Sequence, residues 1–374
     1  MKKITFLTGT RADFGKIKSL LQILDNDPDF EPHIFATGMH LQVKYGYTVK
    51  EIEKSGFKLI HTFDNHTSQG TMDLNLAKTI EGFSSYVREL KPDLIVVHGD
   101  RVETLAGAIV GALNNILVAH IEGGEISGTV DELIRHSVSK LSHLHFVSNA
   151  SAARRLEQMG ELAESIHEIG SPDVDIMFSG NLPELLEVKR YYEIPFDRYN
   201  VAMFHPVTTE YEQMEQHASN FVDALLADDS NYVIIYPNND LGSDFIFKAY
   251  ERLKGNSRFR IFPSIRFEYF LTLLKKADFM IGNSSAGIRE APYYHIPTVN
   301  IGTRQQNRSL HDDIIHSTYN TEDICSSIEK AKQLKVQQAD ESFGEGNSAT
   351  LFLEALKKEA LWELSNQKQF RDRI

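Results

Sequence analysis

The chain has 374 residues, with 39 Lys and Arg against 52 Asp and Glu and a formal net charge of -13 at neutral pH. At roughly 100–200 residues per domain this length points to two domains, and 41% apolar with 24% charged residues is ordinary for a soluble globular protein. The acidic balance argues against nucleic acid or an anionic membrane surface as partner, and the single cysteine, Cys325, excludes a disulfide framework and a cysteine-rich metal site and fits a reducing, cytoplasmic setting.

At the N-terminus, MKKITFLTGTRADFG has a short apolar run but reaches Thr-Gly-Thr-Arg too early for a signal peptide. No apolar run approaches the ~18 residues of a membrane span, so no membrane insertion is expected. KITFLTG (3–9), EPHIFATG (31–38), DLIVVHG (93–99), ILVAHIE (116–122) and LHFVS (144–148) read as strands, with helical patterns near 15–26, 72–90, 102–114 and 130–143. The segment 171–195 carries prolines, interrupts this rhythm and reads as a linker. Beyond it the pattern repeats. Strands are expected at 200–206, 232–238, 258–263, 278–283 and 297–302, and helices near 210–227, 243–254, 266–276 and 285–294. The stretch SATLFLEALKKEALWEL (348–364) reads as one amphipathic helix.

Continuous apolar strands spaced by helices indicate parallel sheets covered on both faces. The fold class is therefore α/β, two Rossmann-like domains facing across a cleft. The expected domains are residues 1–172, residues 173–350, and a helix over 351–374 that packs back on the first. Ligands of such sheets lie outside the carboxyl ends of the strands, and a cleft between two sheets is a natural site.

The strand ends carry unusual residues. TGTRADFGK (8–16) sets Arg11, Asp13 and Lys16 at a helix start, with Gly9 and Gly15 permitting close backbone approach; helix N-termini attract anions, although a solvated surface turn explains the charges equally well. HGDRVET (98–104) places Asp100 just past a buried strand. Its plain alternative is a helix cap paired with Arg101.

The stretch HIEGGEISGTVDELIRH (120–136) packs four carboxylates behind an apolar strand. Thr129 and Glu132 make a capping box, and Asp131 and Arg135, four apart, can pair. Neither accounts for Glu122 directly after ILVAHI, nor for Gly123-Gly124, which would let a ligand approach the backbone. A metal is the obvious rival. His120 and Glu122 match half of a zinc deaminase signature, but the cysteine half is impossible with one cysteine, and His120 and His136 lack the HExxH spacing. No metal is expected, and His143 and His145 read as structural.

In the second half, FHPVTTE (204–210) puts His205 at a strand end and PNNDLGS (237–243) puts Asn238 at another. IGNSSAGIREAP (281–292) ends a buried strand and opens a helix with Ser284, Ser285 and Gly287, whose small size lets backbone N–H groups face a phosphate. Glu290 can accept both hydroxyls of a ribose. NIGTRQQNR (300–308) adds Arg304 and Arg308. This is neither the dinucleotide fingerprint nor a P-loop; it suits a nucleoside diphosphate held without Mg²⁺.

Together, GTRADFGK, HGDR, HIEGGEISGTVDELIRH, HP, PNNDLGS, GNSSAGIREAP and GTRQ, in that order along nearly the whole chain, resemble the UDP-N-acetylglucosamine 2-epimerases, a family with the two-domain glycosyltransferase-B architecture. The start GTRADFGK is similar to the hydrolysing branch, including the bacterial enzymes that open sialic acid and capsule biosynthesis. The resemblance implies conversion of UDP-N-acetylglucosamine and water to N-acetylmannosamine and UDP, a homodimer, and no cofactor. It also implies catalytic roles for Asp100, Glu122 and Asp131, supported by Arg135, and UDP contacts from Arg11, Lys16, His205, Asn238, Ser284, Ser285, Gly287, Glu290 and Arg304.

That chemistry needs these residue types. No carbonyl beside C2 of the sugar acidifies its proton. If UDP leaves C1 first, positive charge there makes the C2 proton acidic, a base removes it, and a glycal remains. Cationic and N–H donors aimed at the diphosphate ease the departure. Water then adds at C1 while an acid delivers a proton to C2 on the other face, which requires carboxyl groups in different protonation states. Mutual repulsion among three clustered acids can keep one protonated. Asp100 and Asp131 are expected to act mainly in elimination and Glu122 in hydration. The same chemistry on a 2,4-diacetamido-trideoxyhexose nucleotide, a sugar transferase on the same scaffold, and a non-catalytic UDP-sugar sensor are the alternatives. Glu125 has no role in this scheme.

Overall fold

The computed structural model describes residues 1–67, 70–127, 130–305, 314–336, 342–369 and 371. The chain forms two compact units. One comprises Met1–Glu125, Asp131–Ser179 and Ser342–Ile374, and the other Ile126–Val130 and Gly180–Glu341. The family of α/β architectures expected from the strand pattern is what forms. Among the described residues no helix is long and apolar enough to cross a membrane.

The first unit is built on seven parallel strands: β1 (Lys2–Thr8), β2 (Phe30–Ala36), β3 (Ile60–Thr62), β4 (Leu94–His98), β5 (Leu117–Ile121), β6 (Leu144–Val147) and β7 (Ile166–Glu168), in the order β3-β2-β1-β4-β5-β6-β7. Two strands of this sheet not expected from the sequence, β3 and β7, are three residues long and lie at its edges, where half-exposure removes the continuous apolar run. Inner strands β4, β5 and β6 are buried throughout because helices cover both faces.

The prolines of 171–195 do not make a bare linker. Pro172 starts the helix Pro172–Phe178, where its missing N–H is harmless. The C-terminal segment also departs from expectation. It is two helices, Ser348–Leu356 and Glu359–Trp362, broken where Lys358 turns extended. The Trp362 indole N–H donates to the carbonyl of Leu356 at 2.8 Å and its ring stacks on Phe30, so the bend folds the chain onto the sheet. Phe352, fully buried, meets Phe6 and Phe146 edge to face. This segment therefore completes the first unit's core.

The second unit has six described parallel strands: β8 (Asn200–Met203), β9 (Tyr232–Ile235), β10 (Phe259–Phe262), β11 (Met280–Gly282), β12 (Thr298–Ile301) and β13 (Ile314–Ser317), ordered β10-β9-β8-β11-β12-β13. Its core gathers Phe204, Phe221, Tyr232 and Phe279. Gly282 has φ 133°, and a Cβ there would lie 1.9 Å from the Met203 carbonyl of β8, so only glycine permits this close strand crossing.

Each sheet reverses its strand order beside its first strand, between β1 and β4 and between β8 and β11. Such a reversal opens a crevice at the carboxyl ends of the strands. Truncating Phe352 to Ala should destabilise the first unit by about 3–5 kcal/mol, measured as a lowered midpoint of urea unfolding followed by near-UV circular dichroism. An unchanged midpoint would show that the C-terminal helix does not contribute to that core.

Candidate active site

In the first unit the crevice is lined by the ends of β1, β4 and β5. β4 ends at His98, paired in register with Ile121 of β5, so Gly99-Asp100 and Glu122 emerge side by side. β1 ends at Thr8, and Thr10 caps the following helix, Arg11–Asp25, by accepting the Asp13 N–H at 3.1 Å.

Asp13 is held by three donors. Its Oδ2 accepts from the Thr8 hydroxyl at 2.6 Å and from the Gly9 N–H at 3.2 Å, and its Oδ1 accepts from His98 Nδ1 at 2.8 Å. The other ring nitrogen of His98 lies 3.2 Å from Glu122 Oε2, an ion-pair contact rather than an aligned hydrogen bond. Burial alone would drive the imidazole neutral. The charges of Glu122 and Asp13 outweigh it and push the His98 pKa up to about 9, so the ring is an imidazolium at neutral pH. Sequence reasoning missed His98. The signal was present in His-Gly-Asp at a strand end, but a histidine closing an apolar strand reads as core.

Glu122 is constrained from every side. It is buried and adopts φ 62°, a left-handed conformation that costs a non-glycine residue of order 1–3 kcal/mol. Its N–H donates to the Phe146 carbonyl at 2.8 Å, its carbonyl accepts from Arg135 Nη1 at 2.6 Å, and its Oε1 accepts from the Ser171 hydroxyl. Ser171 in turn donates its N–H to the Phe343 carbonyl at 2.6 Å, so the returning C-terminal segment supports the carboxylate.

Arg135 also pairs with Asp100. One guanidinium thus joins the strand ends of β4 and β5. This displaces the plain alternative of an Asp100 cap paired with Arg101: Arg101 itself occupies the position before the helix Val102–Leu113, with no side-chain cap, and its Nε lies 3.8 Å from Glu103. Asp131 is buried in the first turn of the helix Val130–Leu141. Thr129, the other half of the capping box, lies outside the described residues. Glu132 lies 3.5 Å from His136 on the outer face.

The remaining residues of this stretch are structural. Gly123-Gly124 do not open the backbone to a ligand. A Cβ on Gly123 would meet the His120 ring at 2.8 Å, and one on Gly124 would meet the Ala152 carbonyl at 2.3 Å. Glu125 accepts from the Ser148 hydroxyl at 2.7 Å. Both ring nitrogens of His120 are committed, to the Gly99 carbonyl at 2.8 Å and the Ser139 hydroxyl at 3.0 Å. Burial pushes its pKa down to about 3 and keeps it neutral. His143 accepts the Val118 N–H at 3.0 Å, and His145 contacts Glu161 at 3.0 Å.

Of the first unit's proposed anion ligands, Arg11 lies 3.6 Å from Glu51 and Lys16 pairs with the buried Asp173 at 2.9 Å. Gly9 packs against the Glu103 carboxylate, where a Cβ would sit 2.9 Å away.

In the second unit, Asn283 fastens the crevice between β8 and β11. Its side chain accepts the His205 N–H at 2.6 Å and donates to the His205 carbonyl at 2.8 Å. The His205 ring accepts the Asn238 N–H through Nδ1 at 3.0 Å, which leaves Nε2 to carry the proton. Asn238 donates to Asp240. The Asn283 carbonyl accepts from Arg304 Nη1 at 3.3 Å and from the Gln305 amide at 3.0 Å. His205, Asn238, Arg304 and the start of Ser284-Ser285 are thus brought to one place. Arg308 lies outside the described residues.

The helix expected over 285–294 does not form as one piece. Ser284, whose hydroxyl accepts the Ala286 N–H at 3.3 Å, opens a 3-10 turn over Ser285–Gly287, and a separate four-residue helix runs from Glu290 to Tyr293. Pro292 has no N–H for the bond back to Ile288 and crowds its carbonyl, which stops a continuous helix. The N–H groups expected to face a phosphate here therefore belong to a turn rather than to a long helix with its dipole. Gly287 is needed for packing, since a Cβ would meet the Thr298 methyl at 2.6 Å. Glu290 is buried at the start of the short helix.

Residues 22–357 match the family model described as UDP-N-acetylglucosamine 2-epimerase. A UDP-N-acetylglucosamine 2-epimerase of Neisseria meningitidis serogroup B is 50% identical over 100% of this chain and 99% of its own. The polysialic acid biosynthesis protein P7 of Escherichia coli is 34% identical over 82% and 80%, and the hydrolyzing UDP-N,N'-diacetylbacillosamine 2-epimerase of Legionella pneumophila is 32% identical over 96% of each chain. In fold, the chain is similar to the UDP-GlcNAc 2-epimerase of Methanocaldococcus jannaschii in complex with UDP-GlcNAc and UDP, with a TM-score of 0.82 at 21% identity over 95% of this chain and 99% of that one.

The buried histidines predict a stability profile. Unfolded histidine titrates near ~6.5. His120, and His40 pushed by burial down to about 4, stay neutral in the fold while the unfolded chain takes up protons, so their contribution is lost as pH falls below 6.5. His98 acts oppositely: its contribution is complete below 6.5 and is lost as pH rises through about 9. Thermal midpoints measured from pH 4 to 10 should fall on both sides, and His120→Asn should flatten the acid limb. An acid limb identical to wild type would refute the assignment.

Proposed function

The chain belongs to the UDP-N-acetylglucosamine 2-epimerase family, and we propose that it is a hydrolysing member, converting UDP-N-acetylglucosamine and water to N-acetylmannosamine and UDP. The observation that carries this reading is the group of carboxylates at the strand ends of the first unit: Glu122 and Asp100 joined through Arg135, with Asp131 buried in the first turn of that arginine's helix.

The substrate has two ends with different needs. Its diphosphate wants cationic and N–H donors, and its uracil ribose wants acceptors. The second unit offers both chemistries in His205, Asn238, the Ser284–Gly287 turn, Arg304 and Glu290. At the sugar, the C1–O bond breaks and UDP leaves with its electron pair. Asp100 or Asp131 takes the C2 proton, and 2-acetamidoglucal forms. In the second half, water's oxygen bonds to C1 and a carboxyl group delivers a proton to C2 on the opposite face. Glu122, aimed by Ser171 and Arg135, fits that delivery. Preorganised hydrogen bonds around the reacting groups reduce the reorganisation each step requires.

The 50% identity to an enzyme named for N-acetylglucosamine supports that sugar over the diacetamido one named for the 32% relative. The hydrolyzing branch is supported by the latter's name, and the polysialic acid relative supports a place at the start of sialic acid synthesis for capsule. A homodimer and a cytoplasmic location belong to the same proposal.

Incubation with UDP-N-acetylglucosamine in D₂O, followed by NMR, should yield UDP and free N-acetylmannosamine deuterated at C2 in equal amounts. UDP release with C2 hydrogen retained would point to a transferase or simple hydrolase, and accumulation of UDP-N-acetylmannosamine to a non-hydrolysing epimerase. Asp100→Asn and Glu122→Gln should each lower kcat by about 10²–10⁴-fold. A Glu122→Gln enzyme that hydrates added 2-acetamidoglucal at the wild-type rate would remove Glu122 from that half-reaction.

A further inference from the structure

We propose that His98 is a positioning residue that holds and recharges Glu122: clamped between Asp13 and Glu122, it supplies the proton that Glu122 passes to C2 in the hydration half-reaction. The inference rests on the reading of the chain as a hydrolysing epimerase and adds a proton source to it.

The geometry carries the argument. Asp13 is fixed by Thr8 and Gly9 and accepts from His98 Nδ1, so that side of the ring is a donor. The opposite nitrogen, Nε2, has Glu122 Oε2 3.2 Å away. With Nδ1–H given to Asp13, Nε2 can carry a proton beside Glu122 or lose it while the ring stays in place. The other Glu122 oxygen is held by Ser171, so the carboxylate is fixed at both ends.

The surrounding charges preserve this arrangement. His120 on β5 and His40, which bonds Thr8 at 3.2 Å, are both neutral. Arg135 is occupied by Asp100 and the Glu122 carbonyl. The two carboxylates against the ring are Asp13, from the helix after β1, and Glu122, after β5.

The step balances. The Nε2 proton moves to Glu122 Oε2, leaving neutral His98 bonded to Asp13. Glu122 then gives that proton to C2 of the glycal and returns to a carboxylate. The water that attacks C1 releases its spare proton, which restores the imidazolium through solvent. No redox partner or further reactant is needed.

The test pairs an NMR titration of the His98 ring with the pH profile of kcat for 2-acetamidoglucal hydration, in wild type, Asp13→Asn and His98→Asn. In wild type the ring pKa and an alkaline limb of kcat should coincide near 9. Asp13→Asn keeps the acceptor and removes the charge, and should lower both together by about 1–3 units. His98→Asn should lower kcat for hydration by about 100-fold or more with KM within about twofold of wild type and no limb near pH 9. A wild-type ring titrating near ~6.5 would overturn the clamp, and a kcat limb that stays fixed while the Asp13→Asn ring pKa moves would overturn the relay. Because the titration needs no turnover, a wild-type enzyme that releases no UDP would count against the proposed reaction, whereas the ring pKa still decides the clamp. Should His98→Asn not fold, Asp13→Asn alone decides.

Discussion

A carboxylate buried behind a parallel strand needs a buried counter-charge, because an isolated ion loses several kcal/mol of hydration that nothing else restores. That constraint organises the first unit. Glu122, Asp100 and Asp13 converge on the ends of β1, β4 and β5, and two cations, the His98 imidazolium and Arg135, are placed among them. Each cation touches two elements, so charge compensation also sets geometry. His98 ties the helix after β1 to the turn after β5, and Arg135 ties the helix Val130–Leu141 to both Asp100 and the Glu122 backbone. The left-handed backbone at Glu122 is a cost that this network overcomes.

The same principle sorts the buried histidines by charge state. Histidines with both nitrogens satisfied by neutral partners, as in His120, are driven neutral by burial. A histidine between two carboxylates is driven the other way. His98 at the end of β4 and His120 within β5 therefore carry opposite charge states. The glycines of the Glu122 loop likewise turn out to serve close packing against His120 and Ala152 rather than ligand approach.

The second unit gathers neutral turns and the Arg304 guanidinium at the ends of its own strands. Its crevice is fastened by Asn283, which bonds the His205 backbone on one side and accepts from Arg304 on the other. Gly282 makes this possible by allowing β11 to approach the Met203 carbonyl. Pro292, inside the short helix Glu290–Tyr293, keeps that helix from merging with the preceding 3-10 turn Ser285–Gly287.

Amino-acid order by itself determined the class of fold, since apolar strand runs alternating with amphipathic helices have few other solutions. It also singled out the strand ends where Asp100 and Glu122 directly follow apolar runs, a placement that packing alone does not explain. Edge strands β3, β7 and β13 escaped it, being too short and too partly exposed to leave a periodic signal. So did the break in the C-terminal helix, where Lys358 turns extended, and the placement of His98 between two carboxylates, which local sequence cannot distinguish from a core histidine. Only the tertiary structure decided which strands lie side by side, and hence that Asp13, His98 and Glu122, 85 residues apart at one contact, share one buried network; long-range adjacency is set by sheet order, and sheet order is not written in any local pattern.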